Sequence, residues 1–254
     1  MRSALMALVV AAGTASAAVF TNGPYVTGAA NGFGGANTSA IQAAPYNSFG
    51  YSVLAGTFAA ADDFTVTDAG GWDLNSFTAY SYQTQANGNA NNVSTLTTIR
   101  VAIFASNPIG TQNAPDFGDL VTNRTILSNV FSGTYRVTAT TLTNSARAIM
   151  AISADMSDIP TLGPGTYFVA WSLGGTVASG PWAVPVTPSR ANDNAMQRNI
   201  SATPSNWALV DGDGTGTVNP LQDLAFDLDY TVIPAPGAAA LLGLGGLLVA
   251  RRRR

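Results

Sequence analysis

Across 224–232 the chain alternates without a break. Leu224, Phe226, Leu228, Tyr230 and Val232 are apolar, and Ala225, Asp227, Asp229 and Thr231 stand between them. Successive side chains of an extended strand point to opposite sides, so a period of two predicts a strand over 223–233 with one face buried. Within 96–105, Ile99, Val101 and Ile103 repeat the pattern. Comparable stretches predict strands over 51–54, 57–66, 72–82, 125–141, 147–156, 165–173 and 206–211. Turn-forming residues punctuate them: Asp68-Ala69-Gly70-Gly71 splits two strands, and the Asn/Gly run 86–92 reads as a loop. Residues 18–50 are rich in Gly, Asn and Ala with weak patterning, and read as loops. Many short strands joined by such turns predict an all-β body over 18–232, a β-sandwich or jelly roll. No segment of the body has a helical period, and no repeat recurs at solenoid spacing.

The two ends break this pattern. Arg2 gives a short positive start, 5–12 is an apolar run, and Ala15-Ser16-Ala17 follows as a small-residue cleavage pattern. Charge, apolar run and small residues in that order predict a signal peptide over 1–17, cut after Ala17. The alternative for these residues is a buried N-terminal strand or helix. At the other end come Pro234, Ala235, Pro236 and Gly237, an apolar stretch to Ala250, and then Arg251, Arg252, Arg253 and Arg254. As a helix, 235–250 would span about 24 Å, short of a hydrocarbon core of about 30 Å. Arginine side chains recover part of that gap by snorkelling. Four arginines at one end keep that end cytoplasmic and turn the body outward. The prediction is a short transmembrane helix acting as an anchor.

This C-terminal layout resembles the PEP-CTERM sorting signal of Gram-negative-type bacteria. That signal combines a Pro-Glu-Pro-like motif, one apolar helix and a terminal arginine cluster. Here Pro234, Ala235 and Pro236 occupy the motif, with Ala235 in place of the central Glu. The resemblance covers 233–254 and implies a membrane protease of exosortase type as a partner. Ala61-Asp62-Asp63-Phe64, Ser179-Gly180-Pro181-Trp182-Ala183 and Asn194-Ala195-Met196-Gln197, the last followed by the Trp207 strand, are similar to segments that recur among exported proteins with this signal. That likeness implies fold and export, and carries no chemistry.

Composition narrows the chemistry. Charged residues are 10% of the chain, against about 25% in an average domain. Ser, Thr, Asn, Gln and Gly must therefore cover the surface. Every basic residue is Arg and every acidic one Asp; Lys, Glu, His and Cys are absent. Five of the eleven arginines lie in the end segments, so the body keeps six against fourteen aspartates and a net charge of −8. An acidic body without a basic cluster is no partner for nucleic acid. Without His, Cys or Lys, triads, thiolate chemistry, Schiff bases and His- or Cys-based zinc sites are excluded.

What remains for acid–base work is Asp and Tyr. Asp62 and Asp63 are adjacent and would point to opposite faces of a strand. Asp227 and Asp229 share a face about 6.5–7 Å apart, near the low end for an inverting glycosidase pair; a solvated strand face is the plainer expectation. For a metal, Asp211, Asp213 and Thr215 stand at positions 1, 3 and 5 of a loop like that of an EF-hand, with Gly216 at 6 and Asn219 at 9. Position 12 is Gln222, where an EF-hand has a bidentate carboxylate, and predicted strands rather than helices flank the loop, both of which count against a true EF-hand; Ca2+ is the one cofactor to test, and no other is expected. Trp72, Trp171, Trp182 and Trp207 supply either core or a sugar-stacking surface. Asn37, Asn92, Asn123 and Asn199 begin glycosylation sequons that a Thr/Ser/Asn-rich bacterial chain produces by chance. The sequence thus predicts an exported, non-enzymatic protein of structural or adhesive type, in the cell envelope, on the surface or outside the cell. A carbohydrate-binding module with a polysaccharide partner is the rival, and an Asp-dependent hydrolase the third choice.

Overall fold

The strongest alternation becomes a central strand. In the computed structural model, which describes residues 15–43, 48–85, 88–187, 194–210 and 222–235, β14 (Phe226–Val232) lies between β1 (Ser16–Thr21) and β5 (Trp72–Tyr82). That sheet continues through β9 (Ala148–Asp155) and β8 (Ile126–Val137) to β2 (Asn37–Ala40), with β3 (Tyr51–Ser52) and β11 (Trp182–Ala183) added beside β5. The facing sheet runs β13 (Trp207–Leu209), β12 (Met196–Asn199), β4 (Phe58–Val66), β10 (Gly165–Gly175), β6 (Leu96–Phe104) and β7 (Phe117–Gly118). The fold is all-β and sandwich-like. Among the described residues the helical content is one 3-10 turn, Phe33–Gly35.

The long strands cross between sheets as they follow one another: β4, β5, β6 and β8 alternate layers. The β8–β9 hairpin is the in-sheet exception, and β10 returns to the second layer. Among the described residues, the pairings between these strands are antiparallel save β2 with β8, where Asn37 faces Thr134. Inward residues of both layers fill the space between them. Phe77 and Phe226 from one sheet meet Trp171 from the other, with ring centroids 5.3–5.9 Å apart. Each such side chain taken from water contributes about 1.5–3 kcal/mol. Two smaller clusters lie on the outer faces. Trp207, Phe104 and Met196 cover the second sheet, and Tyr82, Ile149 and Val184 cover the first.

The strands expected over 57–66, 72–82, 96–105, 147–156 and 165–173 stand within two residues of those bounds. The loop expectation for 18–50 is corrected: β1 and β2 form there. Their sequences hid them because only Phe20 of β1 packs against the core, and β2 reads Asn-Thr-Ser-Ala with no apolar face. Both are held chiefly by backbone pairing to a neighbour, with Phe20 of β1 and Ala40 of β2 as the side chains that reach the core.

Candidate functional site

The predicted processing sites meet at one edge of the first sheet. Ser16 pairs with Val232 and Ala17 with Thr231. Ala15, Ser16 and Ala17 are exposed. Cutting after Ala17 would leave four of the six β1 residues paired, including Phe20, whose ring lies 5.9 Å from Phe226 and 6.4 Å from Trp72. The predicted signal peptide thus overlaps the strand by two residues, with 1–14 outside the described residues. On the neighbouring strand, Ile233 donates its backbone N–H to Gly71 O at 3.0 Å. Gly70 lies so close that a Cβ there would overlap the Ile233 carbonyl and crowd Pro234. Pro234 and Ala235 are half-buried. Pro236, Gly237 and Arg251 to Arg254 lie outside the described residues. Among the described residues no helix is long and apolar enough to cross a membrane; the stretch expected to do so, 235–250, is described only at Ala235.

Asp62 and Asp63 do point to opposite faces, but Asp62 points inward and is fully buried. One oxygen accepts from Asn22 Nδ2 and from Leu224 N–H, each at 2.8 Å, and the other accepts from Asp63 N–H at 2.9 Å. Asp62 therefore clamps the chain after β1 and the lead-in to β14 onto β4. Burial, and then the nearby Asp223, hold its carboxyl well above the usual carboxylate range. Asp223 itself accepts from Asn194 N–H at 3.0 Å. Sequence spacing identified the opposition of the two faces; which face lay inside depended on the second sheet.

Asp227 and Asp229 share the outer face of β14, each bound by a different hydroxyl of β5. Ser76 Oγ donates to Asp229 at 2.7 Å, and Tyr80 OH donates to Asp227 at 2.5 Å. The other Asp227 oxygen is buried without a partner. Tyr25 closes over Tyr80, ring centroids 4.4 Å apart. Burial and the Asp227 carboxylate push the Tyr80 hydroxyl far up, so it acts as a donor. The pair serves as acceptors that tie β14 to β5.

Asp211, Asp213 and Thr215 lie outside the described residues, and Gln222, at the twelfth position of that loop, spends its amide on Val186 O at 3.0 Å. Among the described residues no three acidic side chains are grouped to hold a metal. Trp72, Trp171 and Trp207 are buried, whereas Trp182 is half-buried. Beside Trp182 is a feature the sequence did not single out: a cleft of about 190 Å3 lined by Phe49, Tyr82, Thr84, Arg147, Ser179 and Trp182. No family model, curated protein or solved structure matches the chain.

Proposed function

We propose that this chain is an exported protein of structural or adhesive type, with no catalytic role of its own, held at the envelope by a C-terminal sorting signal of PEP-CTERM type and then retained or released outside the cell. The signal peptide 1–17, the transmembrane helix 235–250 and an exosortase-type protease as partner belong to this proposal. The observation that supports it is the antiparallel pairing of Ser16 with Val232. The described residues bordering the two proposed signals are thus paired, an arrangement that suits a domain first threaded by one end and then held by the other. The test is intact mass in envelope and medium fractions. A product beginning at Ala18 and ending near Pro234-Ala235-Pro236 supports sorting and processing. A membrane product of 18–254 means a plain anchor, and a product retaining 1–17 overturns export by this route.

A carbohydrate-binding module is the second reading, favoured by the half-buried Trp182 in its cleft. A calcium-assisted form would use Asp211, Asp213 and Thr215. Ligand binding to the folded state raises its stability, so EDTA should lower the melting temperature if calcium is held there. An unchanged melting temperature removes calcium from the proposal.

A further inference from the structure

In a body of net charge −8, five of the six arginines lie among the described residues and can be followed one by one; Arg190 lies outside them. Arg124 forms an ion pair with Asp158. Arg100 donates to Asn123 at 2.9 Å, and Arg198 to Ser205 at 2.8 Å. Arg136 is fully buried, yet its donors are met: Nε by Phe49 O at 2.9 Å, and the terminal nitrogens by Ser48 O at 2.7 Å and Ser39 Oγ at 2.9 Å. Arg147 differs. Its guanidinium lies 4.2 Å over the Phe49 ring, and no hydrogen bond or ion pair engages its five donors among the described residues. The arrangement is braced from below, because Arg136 fixes the Phe49 backbone and Phe49 carries Arg147. Burial lowers the Arg136 side chain to about 10, with Arg147 as a smaller contributor. Neither arginine forms an ion pair with a carboxylate among the described residues.

Around that guanidinium are the half-buried Trp182, the buried Tyr82, and hydroxyls at Thr84 and Ser179. A planar fork of donors recognises a carboxylate by two parallel hydrogen bonds. An aromatic face beside it accepts the apolar side of a sugar ring. The larger cleft of about 340 Å3 near Arg124 offers no such fork, because Asp158 and the carbonyls of Val101 and Asp155 already engage that side chain.

We infer that the Phe49–Arg147–Trp182 cleft binds a uronic acid unit of an acidic polysaccharide, with the sugar carboxylate on Arg147 and its ring against Trp182. This deepens the adhesive proposal by naming a ligand class, and rests on it only for the source of the ligand, the surrounding matrix. The cleft concentrates positive charge in an otherwise acidic surface, so affinity for the acid should fall as salt rises.

The test is calorimetric titration of the full chain in mild detergent with tetragalacturonic acid and, separately, with an uncharged tetrasaccharide. Tryptophan emission is followed in parallel; the other three tryptophans are buried, so a change reports on Trp182. The expected result is binding of the acidic oligomer, with emission change, and affinity lower by about tenfold or more for the neutral oligomer and for Arg147→Gln. Arg147→Lys, which keeps the charge without the fork, should fall between. Equal affinity for both oligomers, unchanged affinity in Arg147→Gln, or no binding at millimolar oligomer would each overturn the inference. If Arg147→Gln misfolds, the neutral oligomer and the salt dependence of the wild-type chain still decide. Fractionation tests sorting and titration tests the cleft, so either can fail alone.

Discussion

Asp62 shows what one side chain does when its surroundings contradict its chemistry. Three N–H groups point at its carboxyl, while burial and Asp223 raise its proton affinity. With the folded-state value above the unfolded one, the folded protein binds the proton more tightly. The stability contributed by protonation is full below about pH 4 and is lost as pH rises through the raised value. Asp119 and Asp155 run the other way: backbone N–H groups hold both carboxyls low, so they favour the fold as pH rises. Asp119 is exposed and Asp155 half-buried at the end of β9, so solvent screening keeps their effect small. Denaturation midpoints should therefore decline from mildly acidic to neutral pH, and Asp62→Asn should flatten the decline. An equal slope in the variant would place the titrating group elsewhere. Sequence spacing could reveal that Asp62 and Asp63 face apart. It could not reveal a buried acid, because its partners Asn22 and Leu224 are remote in sequence.

At the scale of elements, the legible strands were those with their own alternation. β5, β6 and β14 each turn an apolar face to the opposite layer, and β10 is buried on both faces over 168–173, so the pattern that folds them is written within them. β1, β2 and β12 rely on a neighbour for hydrogen bonds and add few apolar contacts. The exception is Phe20, which gives β1 its grip on Phe64, Trp72 and Phe226. Truncating a buried phenylalanine costs about 3–5 kcal/mol; Phe20 is partly exposed, so Phe20→Ala should lower stability by less, about 2 kcal/mol. Amide exchange should then quicken along 18–21 before the rest of the sheet. Uniform loss of protection would mean that β1 is integral to global cooperativity. The aromatic cleft escaped the sequence for a related reason, since Phe49, Tyr82, Arg147 and Trp182 come from four separate stretches of chain.

The whole molecule is held with little help from ion pairs. Among the described residues Arg124–Asp158 is the one salt bridge, and polar contacts run between hydroxyls, amides and carboxylates. Salt should therefore break little, while screening relieves repulsion within a body of net charge −8. The melting temperature should hold or rise slightly between about 0.05 and 0.5 M NaCl; a clear fall would point to ion pairs beyond those described.

The close approach of Gly70 to Ile233 also fixes where the C-terminal strand leaves the body. The chain passes from β14 to Pro234 while still pressed against the Asp68–Gly71 turn, so the described body extends at least to Pro234. If 235–250 enters a bilayer, as proposed, the Gly70 turn would stand close to the headgroups. Were the proposed sorting protease to cut beside Pro234, it would have to work against the body itself, or act before the Gly70 turn has closed on the strand end.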